Sequence, residues 1–402
     1  MSLHAFSGSS GHGDRSTILE AYTRVRSRRR CETLGRIDHR PTKAPGSKLH
    51  AYIPALTGVR ALAAFLVFFH HYPTKLLQIG PLLLWKELHI GVSLFFVLSG
   101  FMITWRYDRR GRPTESFLRS YFVNRFARIY PLYLFLVVPT MILGGAHSLR
   151  AWLMNLTLFT SFEAGIPQAW SLRVEECFYL AAPFVFFLWR RHPALPLPVA
   201  GAVLAALYPL ARQPWTFDVI GPPRYLLLYS FFGRFFEFYV GIWLAKKAAR
   251  AGEEGAPRRG FPLYTLGGVA GIAAVVVALA WLRAADRGSF EYGLYHPAGI
   301  VLNNLALPIL TAAFYWGLIR EATWLRRILS TRVADLLGRS SYAFYLVHLG
   351  LFGNVLGYVL GLTALLESVA VRFVFVTLLS ILLYWGIESP ANRFLRRRFG
   401  RA

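Results

Sequence analysis

The sequence predicts an all-α integral membrane protein, a bundle of ten transmembrane helices with both termini in the cytoplasm. Three observations carry that prediction. Of 402 residues, 55% are hydrophobic and only 16% are charged; with a mean hydropathy of +0.41, a soluble globule would have too little polar surface to offer water. Apolar runs long enough to span a bilayer, about 17 to 25 residues, recur along the chain. The net charge of +25 is concentrated in short runs between those stretches, as Lys and Arg are in cytoplasmic loops. The basic excess therefore reads as topology, and no nucleic-acid partner is expected.

Residues 1–50 are polar and rich in Gly, Ser and Arg, including Arg28, Arg29 and Arg30. They lack the apolar periodicity that buries a core, so a disordered basic cytoplasmic tail is expected. The first apolar run begins about fifty residues in and is a full span long, which argues for an uncleaved helix rather than a signal peptide. Spans are predicted near 53–73, 88–105, 129–146, 171–189, 195–211, 225–245, 262–282, 298–319, 342–361 and 366–387. The apolar stretch Trp152 to Phe162 is too short to cross and is read as interfacial or re-entrant. Connections are too short for a soluble domain, so residues 51–392 form one membrane domain and 393–402 a second basic cytoplasmic tail. With the N-terminus inside, 34 of the 45 Lys and Arg lie in cytoplasmic segments and 7 in outer loops. Arg60, Arg173, Arg234 and Arg372 fall in helices. Counting the Trp152 stretch as a span would invert every later loop and scatter the bias. The expected location is the inner cell membrane, with the bilayer as the principal partner. The two cysteines, Cys31 and Cys177, offer neither a disulfide framework nor a metal cluster, and no metal is expected.

Ionisable residues inside a bilayer are costly and become functional candidates by default. In the first helix Arg60 and His71 are eleven residues apart. At about 100° per residue they share a face, about 16 Å apart along the axis; His70 points about 80° away. A snorkelling Arg and an interfacial His are the plain alternative. In the second helix, Gly91, Ser99 and Gly100 suit close packing, and for Ser99 packing is the preferred reading. Arg125 and Arg128, one turn apart at the start of the third span, fit either phosphate binding or anchoring at the inner membrane face. Ser171, Glu175 and Tyr179 line one face of the fourth helix, with Glu176 directed elsewhere. Glu175 and His71 both lie near outer helix ends, so a contact that orients the imidazole as a base is expected, against the alternative of a Glu solvated at the interface. Arg234 and Glu237, at i and i+3, read as an internal ion pair. Tyr345 and His348 read as packing residues.

Taken together, the strings resemble the membrane-bound acyltransferase family 3. They are Arg60 with His71 ten residues beyond it, GVSLFFVLSGFMI, Arg125 and Arg128 followed by IYPLY, and W-S-L-x-V-E-x-x-F-Y from Trp170 to Tyr179. Arg234 to Phe238, G-x-S-S-Y-x-x-Y-L-x-H from Gly338 to His348, and I-E-S-P at Ile387 to Pro390 complete them. The resemblance runs from about residue 53 to 392. It implies ten transmembrane helices and transfer of an acyl group, acetyl above all, from acyl-CoA to a hydroxyl of a cell-surface carbohydrate, glycolipid or related acceptor. It further implies that Arg60, Arg125 and Arg128 engage coenzyme A and that His71 is the catalytic histidine; the helix positions add Glu175 as its companion. Ser99, Ser171, Tyr179, Arg234 and Glu237 would support the substrate or the structure. The C-terminal SGNH domain of some members is not expected here. A secondary transporter or flippase for a lipid-linked or anionic substrate is the rival reading, since buried charges also build transport sites. The sequence sets no oligomeric state.

Overall fold

The computed structural model describes residues 52–73, 77–107, 115–145, 148–158, 165–214, 221–251, 259–286, 289–350, 354, 358–359, 361 and 365–400. The tail expected over residues 1–50 lies outside them.

Helix α1 (Pro54–His71) opens on a proline, which suits the first helical position because the N–H it lacks would be unpaired there anyway. A short hairpin of β1 (Gln78–Ile79) and β2 (Leu82–Leu83), with Gln78 opposite Leu83, leads into α2 (Ile90–Tyr107). The chain continues through α3 (Glu115–Leu143), α4 (Leu149–Leu156), α5 (Trp170–Arg191), α6 (Pro196–Leu210), α7 (Pro223–Tyr229), α8 (Phe235–Ala251) and α9 (Leu263–Ala285). Then come α10 (Pro297–Arg320), α11 (Trp324–Leu329), α12 (Arg332–Val347) and α13 (Val369–Phe399).

Among the described residues, six helices are long and apolar enough to cross a membrane: α1, α2 with its preceding turn, α3, α9, α10 and α13. The other predicted spans fall short of that standard for visible reasons. Helix α5 has 22 residues but carries Arg173, Glu175, Glu176, Arg190 and Arg191. Helices α6, α8 and α12 have 15, 17 and 16 residues.

Several boundaries differ from the sequence expectation. Helix α3 starts at Glu115, well before the apolar run. The predicted span 225–245 breaks between α7 and α8, where Ser230 Oγ accepts from the Gly233 N–H at 3.2 Å. A side chain at Gly233 would collide with the Leu226 and Leu227 carbonyls, so the turn needs glycine. Residues 351–353, 355–357 and 360 of the predicted span 342–361 lie outside the described set; its first part belongs to α12, which starts at Arg332, capped by Thr331, and ends at Val347. Its first turns are polar, with Asp335 and Arg339 paired at 2.8 Å, so hydropathy alone does not register them. The last helix runs to Phe399, so residues 393–399 of the basic C-terminal segment are helical. The Trp152 stretch holds only the eight-residue α4; residues 159–164 lie outside the described set.

Helix α2 packs along α8 through a backbone contact: a side chain on Gly100 would fall on the Phe238 carbonyl, and one on Gly241 on the Val97 carbonyl. Helix α1 lies between α2 and α12, α12 packs on α13, and α13 on α3. Phe68, Phe96, Phe178 and Phe238 fill the shared core. Two helices contain a π-helical turn, Leu302–Ala306 in α10 and Tyr384–Glu388 in α13. Such turns insert a residue and redirect the side chains beside it. Here they accompany buried polar groups, Asn303 and Asn304 in the first and Glu388 in the second.

Candidate active site

At the C-terminal end of α1 the helices enclose a wide cavity of about 440 Å³. Its wall includes His70, His71, His89, Gln168, Arg234 and a run of aromatic side chains, Trp170, Tyr225, Tyr229, Tyr292 and Tyr295. The C-terminal ends of α1 and α12 meet there with the N-terminal ends of α2, α5, α8 and α10, as expected for helices that alternate in direction. Deeper in the bundle lies a narrow cavity of about 30 Å³ lined by Arg60, Phe95, Ser171, Glu175, Ser341 and Tyr342, among others. Val92 and Tyr345 line both cavities and separate them.

His71 is exposed to the wide cavity. Its Nδ1 lies 2.9 Å from the Val67 carbonyl one turn back. A carbonyl only accepts, so Nδ1 carries the proton of the neutral ring, and the Nε2 lone pair remains available as a base. Arg60 and His71 both face α12, Arg60 through Ser341 Oγ at 3.4 Å and His71 through the His348 ring at 5.2 Å between centroids. His70 turns instead toward His89 and Tyr292.

Glu175 does not orient His71, contrary to expectation. Its carboxylate accepts from Ser99 Oγ and from the Tyr179 hydroxyl, and it lines the narrow cavity with Arg60 and Ser171. The reason is depth. Glu175 is more than a turn inside α5, where only neighbouring helices supply donors, whereas His71 stands at a helix end. Ser99 is thus a carboxylate partner in addition to a packing residue. Ser171 pairs with the Tyr345 hydroxyl at 2.6 Å, and Glu176 points away to accept from Tyr130.

The two arginines of α3 part company. Arg125 sits between the rings of Tyr107 and Tyr179, 5.5 and 5.4 Å from their centroids, and its buried Nε has no hydrogen-bond partner. Arg128 is paired with Glu388 of α13 and lies over the Tyr342 ring. Both are at the end of the bundle opposite His71: Tyr107 closes α2, about 27 Å from its start at 1.5 Å per residue. Among the described residues neither Arg60 nor Arg125 has an ion-pair partner, which suits an anionic ligand.

Arg234 and Glu237 form the expected ion pair, two-pronged at 2.8 and 2.7 Å, and Arg234 also donates to Ser93 Oγ at 2.8 Å. Sequence reasoning assigned no role to Gln168, Glu87 or Glu388. The Gln168 amide donates to the Leu346 and Leu349 carbonyls at 2.7 and 3.0 Å, pinning the end of α12 to the start of α5. Glu87 is fully buried, accepts from the Gly293 N–H at 2.9 Å and stands 3.2 Å from His89. Only the I-E-S-P string hinted at Glu388.

Polar side chains thus run from His71 at one end of the helical bundle past Ser171, Glu175 and Arg60 to Arg125 and Arg128 at the other, the interior of a multi-pass membrane protein built around buried charge. Comparison with known proteins names the class. Residues 53–388 match the acyltransferase domain family, and the chain belongs to that family. It is 29% identical to acyltransferase MdmB of Streptomyces mycarofaciens, over 86% of this chain and 93% of that one. It is also 26% identical to the peptidoglycan O-acetyltransferase OatA of Listeria monocytogenes, over 74% of this chain and 49% of that one. The chain thus spans almost all of the first relative and about half the length of the second. No solved structure matches it.

Proposed function

We propose that the protein moves an acyl group, acetyl above all, from acyl-CoA on the cytoplasmic side to a hydroxyl of an extracytoplasmic carbohydrate or related acceptor, with His71 as general base. The observation that carries this reading is the placement of His71: on the wall of the wide cavity, its proton held at Nδ1 by the Val67 carbonyl and its Nε2 lone pair available. The neighbouring aromatic rings suit stacking on sugar faces. Arg125, charged and incompletely bonded, suits a coenzyme phosphate. Arg60, on the His71 face and beside the narrow cavity, suits the pantetheine arm of a donor whose thioester reaches His71. The narrow cavity, about 30 Å³, is far smaller than a pantetheine arm, so donor entry requires α1, α5 and α12 to separate.

In the proposed step the acceptor hydroxyl gives its proton to His71 Nε2 as its oxygen attacks the thioester carbonyl. The C–S bond then breaks and the proton passes to the departing thiolate, so coenzyme A leaves as the thiol. A transporter has no use for thioester cleavage, which separates the rival reading.

The test is labelled acetyl-CoA supplied to membranes containing the protein, with label followed into product. His71→Ala should lose transfer, by about 100-fold or more, while still binding donor. His70→Ala, directed toward His89 and Tyr292, should keep most activity. Equal losses from both would sink the assignment of the base.

A further inference from the structure

The geometry points to His348 as a positioning residue that accepts a hydrogen bond from the protonated His71 ring. This rests on the reading of His71 as the base. His348 follows the last turn of α12, is 2% exposed and does not line the wide cavity. It stands behind His71, so substrate is out of its reach. Its Nδ1 lies 2.7 Å from the Tyr345 carbonyl, which requires the proton of the neutral ring on Nδ1 and leaves Nε2 a bare acceptor. That Nε2 is buried and meets no donor. An unpaired buried acceptor is unfavourable and calls for a partner at some stage of the working cycle.

The neighbours narrow the choice of partner. Phe344 stacks parallel to the ring with centroids 6.5 Å apart and donates nothing. The Tyr345 hydroxyl is already committed to Ser171 Oγ and the Gln168 carbonyl. The Gln168 amide nitrogen is spent on the Leu346 and Leu349 carbonyls. Among the described residues the ring contact that remains is His71, its centroid 5.2 Å away. The two rings are tilted by 59° and share no hydrogen bond in this state; because ring nitrogens lie about 1.2 Å from a centroid, turning one nitrogen of each ring onto the line between centroids would bring them to about 2.8 to 2.9 Å, a hydrogen-bond distance.

Neutral His71 has one N–H, and the Val67 carbonyl takes it. Once His71 has removed the acceptor proton it carries two. A turn of the ring then keeps the Nε2 N–H directed at the thiolate while the Nδ1 N–H leaves the Val67 carbonyl for His348 Nε2. No further proton leaves the pair: His348 steadies the cation and releases it when the thiolate is protonated. The contact forms only in the charged state, so it favours the reacting complex over the resting one.

Two polar replacements separate this role from packing. His348→Gln places an amide oxygen near the position of Nε2, whereas His348→Asn keeps a bond to the Tyr345 carbonyl and offers no acceptor there. The assay is thiol release from acetyl-CoA by native membranes holding equal amounts of each protein, with kcat and donor KM measured separately. His348→Asn should lose about tenfold or more in kcat with donor KM within about twofold, and His348→Gln should recover to within about threefold of the parent. Parental kcat in His348→Asn, with His71→Ala inactive, would overturn the role of His348 and leave the base intact. Equal losses in the Asn and Gln variants would also overturn it, reducing His348 to a matter of shape. An active His71→Ala protein would instead dispose of the underlying reading.

Discussion

The two arginines of α3 should fail in different ways when removed. Arg128 is paired with Glu388, whose side chain is 2% exposed and whose second carboxylate oxygen has no hydrogen-bond partner. Arg128→Ala leaves that carboxylate buried and uncompensated, which costs about 3 to 5 kcal/mol for a buried pair. Arg128 is itself 27% exposed, so solvent screening places the expected loss near the low end, about 3 kcal/mol. Arg125 has no such partner: its guanidinium rests on two tyrosine rings with Nε unbonded. Arg125→Ala should leave the fold nearly intact and remove a charge-assisted phosphate contact of about 1.5 to 3 kcal/mol, weakening donor binding about 10- to 150-fold. Lysine at 125 should rescue partly, because a point charge lacks the planar fork of donors. The measurements are thermal unfolding and acetyl-CoA titration of purified proteins. Arg128→Met combined with Glu388→Leu should recover stability relative to Arg128→Ala, since the double change removes the stranded charge. Unchanged donor affinity in Arg125→Ala would make that residue a membrane anchor. Unchanged unfolding in Arg128→Ala would refute the buried-pair argument.

Three further outcomes follow from the packing and the charge map. Glu237→Ala strands Arg234, which is 3% exposed, and should destabilise by about 3 to 5 kcal/mol, with Arg234→Met plus Glu237→Leu milder than the single change in thermal unfolding. Gly100→Leu drives a side chain into the Phe238 carbonyl and should lower stability by about 1 to 3 kcal/mol and reduce the amount of folded protein recovered from membranes. With Cys31 and Cys177 replaced by serine, a cysteine at Ser289 should react with an impermeant reagent in intact cells and one at Gly260 should not; labelling at Gly260 would reverse the orientation.

Local periodicity makes much of the candidate site legible in the sequence. The eleven-residue spacing of Arg60 and His71 fixes a shared helical face because 3.6 residues make a turn, and α12 proves to be what that face meets. The i, i+3 spacing of Arg234 and Glu237 fixes their pairing in the same way, and composition with the Lys/Arg distribution suffices for the helical membrane class. Tertiary structure decided which helix supplies each partner. Glu175 was matched to the wrong one because its donors, Ser99 and Tyr179, include a residue 76 positions away, and no periodicity reaches across helices. Arg128 finds Glu388 across 260 residues, beside a π-helical turn that hydropathy cannot register. His348 looks like a packing residue in its own helix. Its unpaired nitrogen and its nearness to His71 exist only once α1 and α12 lie side by side. Sequence determines what each helix can offer; the packing of helices decides what meets what, because energies of pairing depend on distance in space and not along the chain.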